Sequence, residues 1–208
     1  KDDFKRNLEK FLPYINKFNI LNIKYPNTLY NLYILIDGVY YDLIIQDNAT
    51  QFFAINEKFE IEILTTIPIS IKNNLNVSLL KINASSSADF SGTVTCNSIF
   101  IDASSSSNVA LNMATDDIAV SLSSSSSVTL KGKTDNLAID ASSSADCDAK
   151  ELVSNVAQVS ASTSSDVHVL ALKELEATAS TSGAIKYYGK LDKVKITEST
   201  SGSVAQIK

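Results

Sequence analysis

Apolar and polar positions alternate with a period of two along most of the chain, the mark of strands rather than helices. One stretch departs from this. Phe4, Leu8, Phe11 and Leu12 fall on one helical face ahead of Pro13, which predicts a short amphipathic helix within an N-terminal segment, residues 1–18. From 19 to 81 the pattern predicts strands continuous with the region that begins at Ile82. Leu32 to Ile36 and Tyr40 to Ile45 flank Asp37-Gly38, a hairpin signal. Phe59 to Leu64 and Ile67 to Ile71 alternate again. Twelve of the sixteen Phe and Tyr residues precede Asn83, so this aromatic-rich region is expected to cap one end of the fold.

Residues 82–208 are a tandem repeat. Seven copies begin at Ile82, Ile101, Val120, Ile139, Val159, Ala177 and Ile196, spaced 19, 19, 19, 20, 18 and 19 residues apart. A fixed period of this size signals a solenoid. Pairs such as Ile99/Ile101, Ile118/Val120 and Leu137/Ile139 lead into each copy with strand alternation. The fold class is therefore all-β, a parallel β-helix whose coils stack at about 4.8 Å per rung.

Aligned on the repeat, the copies form columns. After the alanine column (Ala84, Ala103, Leu122, Ala141, Ala161, Ala179) come Ser85, Ser104, Ser123, Ser142, Ser162, Ser180 and Ser199, a hydroxyl at every rung. Beyond it lie two further hydroxyl columns, then a small one (Ala88, Ser107, Ser126, Ala145, Ser165, Gly183, Gly202) and an apolar one from Phe90 to Val204. Small hydroxyl residues suit a corner, where each Oγ can satisfy a backbone group. Strict alternation from Ile101 would point Ala103, Ser105, Ser107 and Val109 inward unless the corner breaks it. Glu198 in the last copy stands where the others carry alanine or leucine, as a terminal rung facing water would require.

Composition narrows the function. The 208 residues carry a net charge of -5 and one arginine, Arg6, which argues against nucleic-acid binding. No run approaches the roughly 20 apolar residues of a membrane-spanning helix. The chain starts at Lys1 with neither an initiator Met nor an apolar leader, which reads as a mature or truncated form. Cys96 and Cys147 lie three copies apart and at different points on the coil, too far for a disulfide, so two buried free thiols are expected.

Segments such as Ile139-Asp140-Ala141-Ser142-Ser143-Ser144-Ala145-Asp146, the Leu130-Lys131-Gly132-Lys133 that precedes it, and the approach Ile67-Pro68-Ile69-Ser70 resemble the auto-transporter adhesin, head GIN domain family of Bacteroidetes. The resemblance spans Asn19 to Lys208. Family members usually carry a Ser-Gly-Ser-Gly style motif; here Ser or Ala mostly replaces Gly, and Ser182-Gly183 and Ser201-Gly202 come nearest to it. The resemblance implies an exported β-solenoid at the cell envelope or outside the cell. It carries no catalytic residue over.

The residues themselves offer little chemistry. His168, between Val167 and Val169, is expected on an outer face, and a lone His makes no metal site. There is no Gly-x-Ser-x-Gly elbow for a serine nucleophile. Asp102 and Asp140 share an outward column with Ser121 between them, about 10 Å apart at two rungs. Asp146 and Asp166 fall on adjacent rungs, where they read as a solvated carboxylate row or a cation site. The candidate binding surface is the Ser85 to Ser199 column, read as corner packing or as a ladder for a periodic ligand, together with Tyr187 and Tyr188, read as core packing or as sugar-stacking rings. The expected function is a non-enzymatic adhesin or binding module without a cofactor, its partner a glycan or a cell-surface protein and a homo-oligomer open to it. A self-assembling β-helix scaffold and a carbohydrate-active β-helix enzyme are the rivals.

Overall fold

The computed structural model describes residues 30–36, 39–45, 60–65, 69–76 and 78–208. All its regular structure is β, with no helix among the described residues. The expected N-terminal helix lies outside the described residues, and so does much of the expected aromatic cap, from Phe4 to Tyr25 and from Phe52 to Phe59. β1 (Tyr30–Ile36) and β2 (Val39–Ile45) form the expected hairpin, antiparallel with Ile36 opposite Val39.

The remaining strands build one parallel ladder. β3 (Glu60–Thr65) and β4 (Ile69–Asn76) pair with β5 (Leu79–Ala84) and β6 (Asp89–Ala103). β7 (Asn108–Leu122), β8 (Ser127–Ala141), β9 (Asp146–Ala161) and β10 (Asp166–Ala179) each run nearly a whole coil. The last coil is split into β11 (Ala184–Tyr188), β12 (Lys193–Glu198) and β13 (Ser203–Gln206). Ile82, Ile101, Val120, Ile139, Val159, Ala177 and Ile196 pair rung to rung, so the sequence period is the coil. The same column reaches one rung earlier, since Ile63 pairs with Ile82.

The two irregular spacings have a structural cause. The extra residue of the 20-residue copy sits in a bulge between Asp148 and Glu151, opposite Leu130. Two register shifts, at Val169/Leu170 and Ala171/Glu174, then absorb the shorter copy next to it. Inside the coils, the columns Leu80–Ile99–Ile118–Leu137 and Ile82–Ile101–Val120–Ile139 are buried throughout. Each fully buried Leu or Ile contributes about 1.5–3 kcal/mol, which makes the stack of aliphatic columns the main source of stability.

Alternation breaks at the serine corner. Ala103, Ser107 and Val109 point inward as expected, but Ser105 is exposed. The reason is a turn with two left-handed residues: φ is 53° at Ser105 and 62° at Ser106, and Ser107 N–H donates to Ser104 C=O at 3.1 Å. This is the type I′ geometry of a two-residue turn, which spends two residues on the surface before the next one returns inside.

Candidate functional site

The turn recurs at every rung and builds a ridge. Its two central columns, Ser86–Ser105–Ser124–Ser143–Thr163–Thr181–Thr200 and Ser87–Ser106–Ser125–Ser144–Ser164–Ser182–Ser201, all have positive φ and are all exposed. Flipped peptides let the second turn residue bond upward. Ser106 N–H donates to Ser124 C=O at 3.0 Å and Ser144 N–H to Thr163 C=O at 2.9 Å, whereas Ser104 and Ser123 N–H donate downward to Ala84 and Ala103 C=O. Each rung is therefore tied to both neighbours, and the hydroxyls are held in register about 4.8 Å apart.

The column singled out by the sequence lies at the foot of this ridge. Ser85, Ser104, Ser123, Ser142, Ser162 and Ser180 are half-buried, and only Ser199, in the terminal turn, is exposed. The small column behind it is buried and satisfied. Ser107, Ser126 and Ser165 donate to the carbonyls of Ala84, Ala103 and Ala141 at 3.0, 2.8 and 3.0 Å. A Cβ added at Gly183 would lie 2.3 Å from Ala161 O, so glycine there answers a close backbone approach. Glu198 is exposed and accepts a hydrogen bond from Val204 N–H at 2.5 Å, closing the terminal turn.

Tyr187 and Tyr188 separate. Tyr187 is only 8% exposed and stacks on Val169, which stacks on Ala149, in the buried interior. Tyr188 is half-buried, with its ring centroid 6.3 Å from that of His168. His168 lies on the outer face, half-buried, in a small charge cluster. Its Nε2 stands 3.2 Å from Lys186 Nζ and 3.5 Å from Asp166 Oδ1. Asp146 and Asp166 are on adjacent rungs as expected, and Lys186 Nζ sits 3.2 Å from Asp166 Oδ2, so an ammonium group from the next coil already serves that carboxylate. On the bulge, burial raises the Asp148 carboxyl, but the hydrogen bonds and charge of Lys150 outweigh it and hold the group below the ordinary value.

Both cysteines are free and buried, as expected. Burial pushes the Cys147 thiol up to about 12, with the charge of Asp148 adding to the effect. Burial also raises the Cys96 thiol, against the hydrogen bond it makes with Thr115. Cys96 belongs to a second column of buried polar groups that sequence reasoning missed. Thr115 Oγ1 donates to Asn97 and Asp117 C=O at 2.9 and 3.1 Å, Thr134 Oγ1 to Asp116 and Asn136 C=O at 3.1 Å each, and Ser154 Oγ to Leu170 C=O at 2.8 Å. The signal was present in Thr115-Asp116-Asp117 and Thr134-Asp135-Asn136, 19 residues apart. Outside this corner runs a shallow groove of about 660 Å³ along Asn97, Asp116, Lys133, Asp135 and Asn155.

Among the described residues no group of three or more His, Cys, Asp or Glu could hold a metal ion, and no helix is long and apolar enough to cross a membrane. Two solved structures share the fold. A putative lipid binding protein from Parabacteroides distasonis ATCC 8503 aligns with a TM-score of 0.68 and 19% identity, over 96% of this chain and 81% of its own. A putative adhesin from Parabacteroides merdae ATCC 43184 aligns with a TM-score of 0.65 and 20% identity, over 96% of this chain and 80% of its own. A comparison with curated proteins finds no match. The family described as "Putative auto-transporter adhesin, head GIN domain" matches residues 43–190. With most of its repeat and the strands β3 and β4 inside that match, the chain belongs to this family.

Proposed function

We propose that the chain is a non-enzymatic, exported cell-envelope protein whose solenoid serves as an adhesive or binding surface, with a glycan or a cell-surface protein as its partner. The observation that carries this reading is the double column of exposed hydroxyls along the turn ridge. Held in register by rung-to-rung backbone bonds, these groups lose little freedom when a ligand binds, which favours affinity. The Ser85 to Ser199 column supports the ridge from its foot, and Tyr188 presents a partly exposed ring on a neighbouring face. A non-enzymatic role is supported by the commitment of the few activating groups: His168 is engaged by Lys186 and Asp166, and burial keeps both thiols protonated.

The experiment is display of the chain on a non-adherent cell, with adhesion to host cells and extracellular matrix measured. Glycine is the clean probe at positive φ, because it removes the hydroxyl and relaxes the backbone. S105G/S124G/S143G and S106G/S125G/S144G are expected to keep the melting temperature within a few degrees and to reduce adhesion. Wild-type display that confers no adhesion refutes the reading. The lipid-binding description of one structural neighbour supplies a further arm. The interior columns here are filled by side chains, so a lipid would have to bind outside them, and vesicle co-sedimentation reads that directly.

A scaffold reading has its own support. Val194 and Ile196, in columns buried from Leu80 to Leu175 and from Ile82 to Ala177, are 42% and 43% exposed on the last rung. Light scattering separates the two: polymers growing with concentration favour a scaffold, and a monomer or small closed oligomer favours the binding surface.

A further inference from the structure

Phe100 is 48% exposed, and among residues 78–208 it is the only aromatic of the exposed large apolar side chains. It lies on an outer face away from the turn ridge, in the column Lys81–Phe100–Ala119–Ala138. Two alanines on the next two rungs leave a trough beside it. The outward column next to it reads Asn83–Asp102–Ser121–Asp140. Lys81, Phe100, Asn83, Asp102, Ser121 and Asp140 line a shallow groove of about 390 Å³ over Ala119. The side chains of Asp102, Ser121 and Asp140 make no hydrogen bond or ion pair within the described residues, so their acceptors face solvent.

This combination selects a ligand class. An aromatic face binds a flat apolar surface. Ionised carboxylates only accept hydrogen bonds, and a serine hydroxyl both donates and accepts. A ligand that satisfies them together has an apolar ring face on one side and several hydroxyl donors along its edge. A neutral hexopyranose has that form. Lys81 offsets only one of the two carboxylates, so the groove stays net negative and disfavours an acidic sugar, and it has the size of small-ligand sites. We propose that the Phe100 groove is a subsite for a neutral hexopyranose, which stacks on the Phe100 ring while its hydroxyls donate to Asp102 and Asp140 and exchange a hydrogen bond with Ser121. The inference rests on the binding-module reading and places a sugar on a face distinct from the turn ridge.

The test uses the full chain with methyl β-D-glucopyranoside and methyl β-D-galactopyranoside as probes in saturation-transfer NMR, beside the cell-adhesion assay. F100A and D102N/D140N alter exposed side chains and should leave the melting temperature unchanged. Transfer to the ring C–H protons of at least one glycoside is expected, insensitive to salt, with affinity about tenfold weaker in F100A and weaker again in the combined variant. F100A binding as tightly as wild type overturns the subsite. Absence of transfer from both glycosides at tens of millimolar also overturns it. So does a salt-sensitive preference for a lysine- and arginine-rich peptide, which would make the groove a protein contact. If wild type adheres to cells while the glycosides fail, the subsite falls and the adhesive function stands. If wild type neither adheres nor binds a glycoside, both fall.

Discussion

A left-handed backbone costs a non-glycine residue roughly 1–2 kcal/mol, and among the described residues fourteen serines and threonines adopt it, with φ between 46° and 64°. The cost is offset by the ladder, since from Ser87 to Ser182 the N–H of the second turn residue donates to the C=O of the first turn residue on the next rung. The strain should be greatest at Thr163, Thr181 and Thr200, because a β-branched residue at positive φ crowds its own backbone. T163G is therefore expected to stabilise the fold by up to about 1 kcal/mol, and S106V to destabilise it by at least as much, both read from denaturant midpoints. Cys147 permits a pH prediction. Its protonated form is favoured in the fold, so its contribution to stability is complete below the ordinary thiol value of 9.0 and is lost as pH rises from there toward about 12. C147V, which matches Val128 and Val167 in its column, should change stability by less than about 1.5 kcal/mol at neutral pH and abolish that alkaline loss. A thiol-reactive dye at pH 8 should leave Cys147 unmodified until the chain unfolds.

The coil, as an element, was largely legible because the repeat supplies its own alignment. Ile82, Ile101 and Val120 stack as their spacing required, and two free thiols result from the same register. What stayed hidden was the break in alternation at Ser105, because serine gives no sign of positive φ where glycine or asparagine would have given one. The corner at Thr115 and Thr134 was missed for the opposite reason. A threonine in a strand pattern reads as an outward residue, yet here it turns in to satisfy carbonyls where the rung pairing lapses. The two corners should differ in tolerance. S126A leaves Ala103 C=O bonded to Ser123 N–H, and alanine already serves in that column at Ala88 and Ala145, so the cost should stay below about 1 kcal/mol. T134V removes the hydroxyl that Asp116 and Asn136 C=O share and should cost about 1–3 kcal/mol. Equal costs would show that the two corners carry the same load.

At the scale of the whole molecule, each coil packs mainly on its neighbours, so stability is close to a sum of rung terms and the ends are weaker than the middle. The interior column makes this measurable with one kind of substitution. Ile139 is 3% exposed between Val120 and Val159, while Ile196 is 43% exposed on the last rung and pairs on one side only, with Ala177. I139A leaves a cavity in a packed stack and is expected to cost about 2–5 kcal/mol. I196A removes a half-hydrated side chain and should cost less than about 1 kcal/mol. Paired urea titrations at low protein concentration check the ratio. If I196A instead costs as much as I139A, something covers the terminal rung in solution. Repeating the titration over a hundredfold range of protein concentration then identifies the cover, because a midpoint that rises with concentration requires a second copy of the chain, and a constant midpoint requires cover from within the same molecule.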